Sequence, residues 1–440
     1  MTARQAALEI WRAALAAAAV EPLVRSALRR DGHTLSCGPL RLDLARVRQV
    51  LVLGCGKAGA AMARAVEAVL GERISAGFVV VKDGHTLPTR TVELAEAGHP
   101  VPDGRGEAAA RRLLSLAETA GADDLVIVLI SGGGSALLPA PAPPVTLGEK
   151  QAVTRLLLGA GATIGELNAV RKHLSLLKGG QLARAAAPAR VLTLVLSDVI
   201  GDPLDVIASG PTAPDPTTFA DALEVLARRG VLDAVAPSVR GRLEAGVAGE
   251  VPETPKPGDR LFSHVTHVVM GNNRLVVDAA ASAAAHLGYA PEIATPALEG
   301  EAREVATALV ARARSLRPPA CLIAGGETTV TVRGGGRGGR CQEFALAAAL
   351  ALAADDRLTV LAAGTDGTDG PTDAAGAVVD AGTLDRGRAL GLDAVRALAD
   401  SDAHALLGAT GDLIVTGPTN TNLLDLYLVL ASAREMGEQV

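Results

Sequence analysis

The densest set of groups able to do chemistry lies in residues 320–350, ACLIAGGETTVTVRGGGRGGRCQEFALAAAL. A Gly-Gly-Glu turn follows a predicted strand at 320–324, a β-branched strand is predicted at 328–332, and a glycine-rich run leads into an alanine-rich helix. Glycine-rich backbone ahead of a helix offers unpaired N–H groups to an anion. Arg340 adds a guanidinium that can hold a carboxylate or phosphate with two parallel hydrogen bonds. Glu327, on the preceding turn, supplies a carboxylate suited to bind a metal or take up a proton. An anion cradle, a fixed cation and a carboxylate this close together suit phosphoryl transfer.

Related combinations follow other apolar runs. Gly54-Cys55-Gly56-Lys57-Ala58-Gly59 fits G-x-G-x-x-G at the start of a helix, with a lysine in its middle. It is not a P-loop, because the earlier glycine and the hydroxyl residue after the lysine are missing. Three readings stay open: Lys57 neutralises a transferring phosphoryl group, the loop takes a dinucleotide with Asp83 on the ribose, or it is a structural turn. Ser131, Gly132, Gly133, Gly134 and Ser135 form a phosphate nest, in which the Ser135 hydroxyl either contacts a phosphate or caps a helix. Asp198 stands at a strand end, where a carboxylate can hold Mg²⁺ or activate a hydroxyl. Asn272 and Asn273 follow a strand and a glycine, placed to cap a helix or to bind ligand through an amide. Asp366, Asp369 and Asp373 share a polar loop whose spacing is not that of an EF-hand and suits Mg²⁺ or substrate hydroxyls. His173, on a helix predicted over 168–180 with Arg171, Lys172 and Lys178, reads as a histidine without a catalytic role.

These loops need strands to present them. Apolar runs at 49–53, 78–81, 125–130, 191–196, 265–270, 320–324, 358–363 and 413–416 alternate with helix-period segments at 58–70, 104–120, 147–161, 272–287, 301–316 and 342–354. Continuous apolar strands separated by helices predict parallel strands buried on both faces, the doubly wound α/β architecture. In such sheets ligands gather beyond the carboxyl ends of strands, where the motifs above fall. The runs at 320–324 and 328–332 are too close for a crossover and predict an antiparallel hairpin, hence a mixed sheet in the second half. A proline-rich stretch at 249–260 marks a linker. It divides a Rossmann-like domain at residues 1–250 from a C-terminal α/β domain with a mixed sheet at 251–440. Residues 4–30 predict an amphipathic helix.

Composition narrows the function classes. Hydrophobic residues make up 49% of the 440, yet aromatics only 2%, so Ala, Leu and Val must build the core and little is left for base stacking. A net charge of −6 with no basic block argues against a nucleic-acid partner. No apolar run approaches the roughly 18 residues that span a bilayer, so no membrane partner is expected and the cytoplasm is the expected compartment. Cys37, Cys55, Cys321 and Cys341 stand apart with no C-x-x-C pair, a reducing-compartment pattern with neither a disulfide framework nor a zinc site. The expected partners are small molecules, and homodimerisation is left open.

In chain order, GCGKAGAAMA, SGGGSALLPAP, NAVRKHLSLLKGGQLA, SDVIGDPLDVIASGPT, GNNRLVVDAA, GGETTVTVRGGGRGGRCQEFALA and AAGTDGTDGPTDAAGAVVD run from residue 54 to 380. Together they resemble the glycerate 2-kinases of MOFRL type. The resemblance implies transfer of the ATP γ-phosphoryl group to the 2-hydroxyl of D-glycerate, with Mg²⁺, giving 2-phospho-D-glycerate and ADP. It implies two α/β domains with the active site in the cleft between them, and it places the family's functional residues on Lys57, Asp198, Glu327, Arg340 and Asp366. Gly59 departs slightly from the family pattern, where alanine is commoner. On this reading Lys57 stabilises charge on the transferring group and Arg340 clamps the glycerate carboxylate or a phosphate. Two or three of Asp198, Glu327 and Asp366 hold Mg²⁺, and one of them accepts the hydroxyl proton. Gly54, Gly56 and the 131–135 loop cradle the phosphates of ATP, and Asn272 or Asn273 orients substrate or nucleotide. The competing reading is an NAD(P)H-dependent hydroxypyruvate reductase, which rests on G-x-G-x-x-G and Asp83 and leaves the later motifs without a role.

Overall fold

The computed structural model describes residues 1–433 and divides by its contacts into two compact units, Val20–Met270, and Met1–Ala19 with the described residues from Gly271 on. In the Val20–Met270 unit, helix Val20–Ala27 leads into an antiparallel meander of β1 (Leu28–Asp31), β2 (Thr34–Cys37) and β3 (Leu40–Asp43). The main sheet holds β4 (Val50–Cys55), β5 (Ile74–Lys82), β6 (Val92–Ala97), β7 (Leu125–Ile130), β8 (Arg190–Leu196) and β9 (Val265–Gly271). Their order is β6-β5-β4-β7-β8-β9, and the registers from β6 to β8 are parallel. Every residue of β4 and β7 is buried, as continuous apolar strands covered on both faces must be. Leu51, Leu53 and Cys55 share one core with Ala109, Ala110 and Leu113 of helix Gly104–Ala117. On the opposite face Gly59, opening helix Gly59–Leu70, lies against Val79 and Val81. The chain leaves β4 toward β5 but β7 toward β8, so the strand order reverses between β4 and β7, where such sheets bind ligands.

The other unit is built on β10 (Ala290–Leu298), β11 (Ala320–Gly326), β12 (Leu358–Gly364), β13 (Gly376–Asp380), β14 (Leu413–Ile414) and β15 (Asp425–Ala431), in the order β10-β11-β15-β12-β13-β14. β10 and β11 are parallel, whereas β15 runs antiparallel to both of its neighbours, β11 and β12. Leu322, Ala324, Val360, Ala362, Tyr427 and Val429 pack under helices Ala302–Ala313 and Arg340–Ala351. Gly325, on the alternate face, meets Asn273 and Val277 of helix Asn273–His286, against which helix Ala3–Ala17 lies.

Both units are α/β, one sheet doubly wound and the other mixed, as the sequence predicts, but several elements differ. No strand forms over 328–332: Thr329 makes an isolated parallel bridge to Glu301, and the Glu301 carboxylate takes the Thr331 N–H. The mixed character comes instead from β15. The helix predicted at 4–30 breaks after Ala17 because Pro22 has no N–H to continue the ladder, and a second helix, Val20–Ala27, gives way to β1. The helix predicted at 168–180 is Ile164–His173, opened by a Thr163–Glu166 capping box, and Lys178 lies beyond its end.

The expected boundary at residue 250 and the contact division at 270/271 also differ. Residues 253–255 are tied back into the first unit: Glu253 accepts a hydrogen bond from Phe219 N, Thr254 Oγ1 donates to Asp215 Oδ2 at 3.0 Å, and Asp215 N donates to Pro255 O at 2.8 Å.

Candidate active site

At the β4–β7 reversal two glycine-rich loops close on each other. Gly56 has φ +125°, and a Cβ there would lie 2.2 Å from Ser131 Oγ, so only glycine fits. Lys57 N donates to Gly132 O at 2.9 Å, Ala58 N to Ser131 Oγ at 3.0 Å, and Ser131 N to Cys55 O at 3.1 Å. A Cβ on Gly133 would stand 3.7 Å from Lys57 Cγ, so the lysine stem runs beside the second loop. Gly54, Gly56, Lys57, Ser131, Gly132, Gly133, Gly134 and Ser135 are thus gathered at one place. Burial pushes the Cys55 thiol up to about 12, which makes it a packing residue rather than a nucleophile.

Asp198 lies just past β8, on the same sheet edge. Asp83, just past β5, is gripped by Arg105 through two bonds of 2.7 and 2.8 Å. His173 is structural: Nδ1 sits 2.7 Å from Ala169 O, Nε2 2.9 Å from Glu253, and its ring meets Phe219.

In the second unit Arg340 opens helix Arg340–Ala351 and is held on two sides. Its Nη2 donates to Asp425 Oδ1 at 3.0 Å, its Nε to Asp425 Oδ2, and its Nη1 lies 2.7 Å from Glu327 Oε1. Burial alone would lower the pKa of this guanidinium; the Asp425 and Glu327 carboxylates outweigh burial and raise it. Asp425 is 1% exposed and stands in register with Gly326 at the end of β11 and Gly364 at the end of β12. Tyr427 OH donates to Asp425 Oδ2 at 3.1 Å, and Asn273 Nδ2 donates to the Asp425 carbonyl at 3.0 Å. A Cβ on Gly364 would lie 3.2 Å from Asp425 Oδ1 and 3.3 Å from Asp366 Oδ1, so two carboxylates converge on that strand end. Asn273 is therefore a brace for β15, while Asn272 caps its helix without a side-chain capping bond.

The start of the Arg340 helix is not the open anion site that its glycines suggest. The Asp369 carboxylate accepts from Cys341 N at 3.1 Å, Gln342 N at 2.8 Å and Gln342 Nε2 at 3.0 Å, and Glu343 N turns back to Gly339 O. Burial raises the Asp369 carboxyl to about 6 against the pull of those amides. The protein's own carboxylate fills the cradle, and the guanidinium beside it remains.

Asp425 and Tyr427 escaped the sequence reading although a signal was present. DLYLVLA is an apolar run headed by an acid, and because β15 is antiparallel its first residue lies at the edge where β11 and β12 end. Among the described residues no group of three or more His, Cys, Asp or Glu side chains is gathered to hold a metal ion. Mg²⁺ needs only one or two carboxylates when phosphates and water complete its shell, and the strand-end oxygens of Asp198 and Asp366 fit that chemistry.

Residues 6–244 match a family described as a domain of unknown function, DUF4147, and residues 320–425 match the MOFRL family. The D-glycerate 2-kinase of Thermotoga maritima is 45% identical over 87% of this chain and 90% of its own, and the glycerate 2-kinase of Pyrococcus horikoshii is 40% identical over 88% of each. A protein of Agrobacterium vitis with the provisional name hydroxypyruvate reductase is 45% identical over 86% of each chain. The crystal structure of the T. maritima glycerate kinase superposes with a TM-score of 0.83 at 41% identity, covering 97% of this chain and 99% of that one. The fold and these likenesses place the protein among the α/β small-molecule kinases. More narrowly, the chain belongs to the MOFRL-type glycerate kinase family.

Proposed function

We propose that this chain is a D-glycerate 2-kinase, moving the γ-phosphoryl group of ATP onto the 2-hydroxyl of D-glycerate and releasing 2-phospho-D-glycerate and ADP. The observation that carries the reading is the closure of the Lys57 loop on the 131–135 loop, which sets a lysine beside a glycine-rich nest at the strand-order reversal. The names of the T. maritima and P. horikoshii relatives supply the acceptor and the position phosphorylated. Lys57 neutralises charge on the transferring group, while Gly54, Gly56 and the 131–135 backbone hold phosphates. Arg340 has its plane fixed by Asp425 and presents its Nη1 side, where Glu327 is 44% exposed, to the glycerate carboxylate. Asn272, more exposed than Asn273, orients the ligand.

Two or three of Asp198, Glu327 and Asp366 would hold Mg²⁺, which would offset phosphate charge. One of the three takes the hydroxyl proton, and Asp198→Asn, Glu327→Gln and Asp366→Asn separate the roles. A loss relieved by raised Mg²⁺ or by Mn²⁺ marks a metal ligand; a loss that neither relieves marks the proton acceptor. The four cysteines are buried and free, which supports a reducing compartment, and the cytoplasm is the proposed one. No helix among the described residues is long and apolar enough to cross a membrane.

The deciding assay supplies ATP, Mg²⁺ and D-glycerate and couples the product to enolase, which accepts only the 2-phospho isomer. Phosphoenolpyruvate formed without a mutase supports the reading; a signal that waits for mutase moves the acceptor to the 3-hydroxyl. The A. vitis name favours a second reading, a hydroxypyruvate reductase, but the Asp83 carboxylate that a nucleotide ribose would need is taken by Arg105. Steady NADPH oxidation with hydroxypyruvate would replace the kinase reading.

A further inference from the structure

Beneath the 131–135 loop lies a set of buried polar groups that the chemistry above does not use. Lys178 is 2% exposed, Ser209 1% and Asn168 4%. Lys178 Nζ donates to Ser135 O at 2.7 Å. Ser209 Oγ donates to Asn168 Oδ1 at 3.0 Å, which spends its one proton, so the 2.9 Å bond between Ser209 and Ser135 takes the Ser135 proton. The Ser135 hydroxyl is therefore turned inward, and the loop meets an anion through its backbone.

The segment holding Ser209 is strained. Ala208 and Ser209 have φ of +51° and +60°, a left-handed pair with side chains, which is strained and persists only where surroundings enforce it. The enforcing bonds come from the residues after Lys178: Gly179 N donates to Ser209 O at 3.0 Å and Gly180 N to Gly210 O at 2.7 Å. A Cβ on Gly134 would lie 2.6 Å from Cys55 Sγ and 3.0 Å from Ala208 Cβ, so the loop is wedged between the end of β4 and this turn.

We propose that Lys178 and the left-handed turn at 208–209 form a clamp that presets the 131–135 loop for nucleotide phosphates, making Lys178 and Ser209 positioning residues of the phosphoryl-transfer site. The inference rests on the reading of that loop as a phosphate nest. It differs from a purely structural role in its consequence: loosening the clamp weakens nucleotide binding and leaves the acceptor side alone.

The test uses the full chain, Lys178→Met and Ser209→Gly, the latter keeping the turn conformation while removing the hydroxyl. ADP affinity is measured by calorimetry, KM for ATP and D-glycerate by the enolase-coupled assay, and Tm by thermal unfolding. With the Lys178–Ser135 bond removed, Lys178→Met should raise the ADP Kd and the ATP KM by about tenfold, with glycerate KM unchanged. Ser209→Gly should show a smaller rise of the same pattern. Variants that lower Tm but leave ADP Kd and ATP KM at their starting values overturn the clamp. If Lys178→Met does not fold, Ser209→Gly decides alone by the same two constants. Failure of the underlying reading is visible separately, since the unaltered chain would then bind no ADP.

Discussion

Lys57 and Arg340 are held differently, and the difference sets what their loss should do. Lys57 has its backbone fixed by Gly132 and carries its charge at the end of a stem lying along the glycine loop. Lys57→Met should fold, keep ADP affinity within severalfold and lose kcat by about 10²–10³, the usual loss when one transition-state charge partner is removed. Arg340 depends on a partner, the buried Asp425. Asp425→Asn keeps the shape but removes the charge that fixes the guanidinium plane, and kcat should fall about 10–100-fold. Equal kcat in the two chains would show that Asp425 does not orient Arg340. Lys178 titrates where solution measurements can reach it. Burial lowers its pKa to about 7, with Cys55 opposing and Arg171 adding, whereas the unfolded chain holds the proton to about 10.5. At this site the unfolded state thus binds more protons between those values, so the Lys178 contribution to stability should rise as pH climbs from about 7 toward 9, below the range in which the buried cysteines act in the opposite sense. Lys178→Met should lessen that rise, leaving the part from Lys150, whose pKa burial also lowers, as urea unfolding across the range would report.

At the scale of elements, helix Arg340–Ala351 depends on Asp369 for its first amides. Asp369→Ala should cost about 1–2 kcal/mol as a lost cap and shift Arg340 with the helix end, lowering kcat beyond the loss of folded protein. Unfolding midpoint and kcat measured together separate the two effects. The same helix marks where the sequence was legible and where it was not. Strands β4, β7, β8, β9, β11 and β12 were readable as continuous apolar runs, and the loops after β4, β7 and β8 followed from parallel topology. β6, β10 and β13 carry mixed or alanine-rich residues that do not stand out, whereas β15 is a strong apolar run that alternation with helices does not predict. A rule that looks only past the end of each strand cannot find Asp425, which precedes its own. The glycine run before Arg340 reads as an open anion cradle because nothing local in the sequence shows that Asp369, a loop away, fills it.

At the scale of the molecule, the chain's first helix belongs with its second half. Helix Ala3–Ala17 buries Ala6, Ala7, Ile10, Trp11 and Ala14 and packs with helix Asn273–His286. A fragment of residues 1–270 should therefore expose that apolar face and aggregate, while residues 20–270 should stay monodisperse. Light scattering on the two fragments checks this, and equal behaviour would mean the helix needs no partner.

That placement bears on synthesis. The helix is made well before its packing partners, which lie in residues 271–431. It must wait through some 250 residues without its final surroundings, and the second unit cannot be completed until it returns. Trp11 is the chain's single tryptophan and is 3% exposed once docked. Its fluorescence is thus a built-in clock: in a chain released in stages, emission should move to the blue only once β15 has been made.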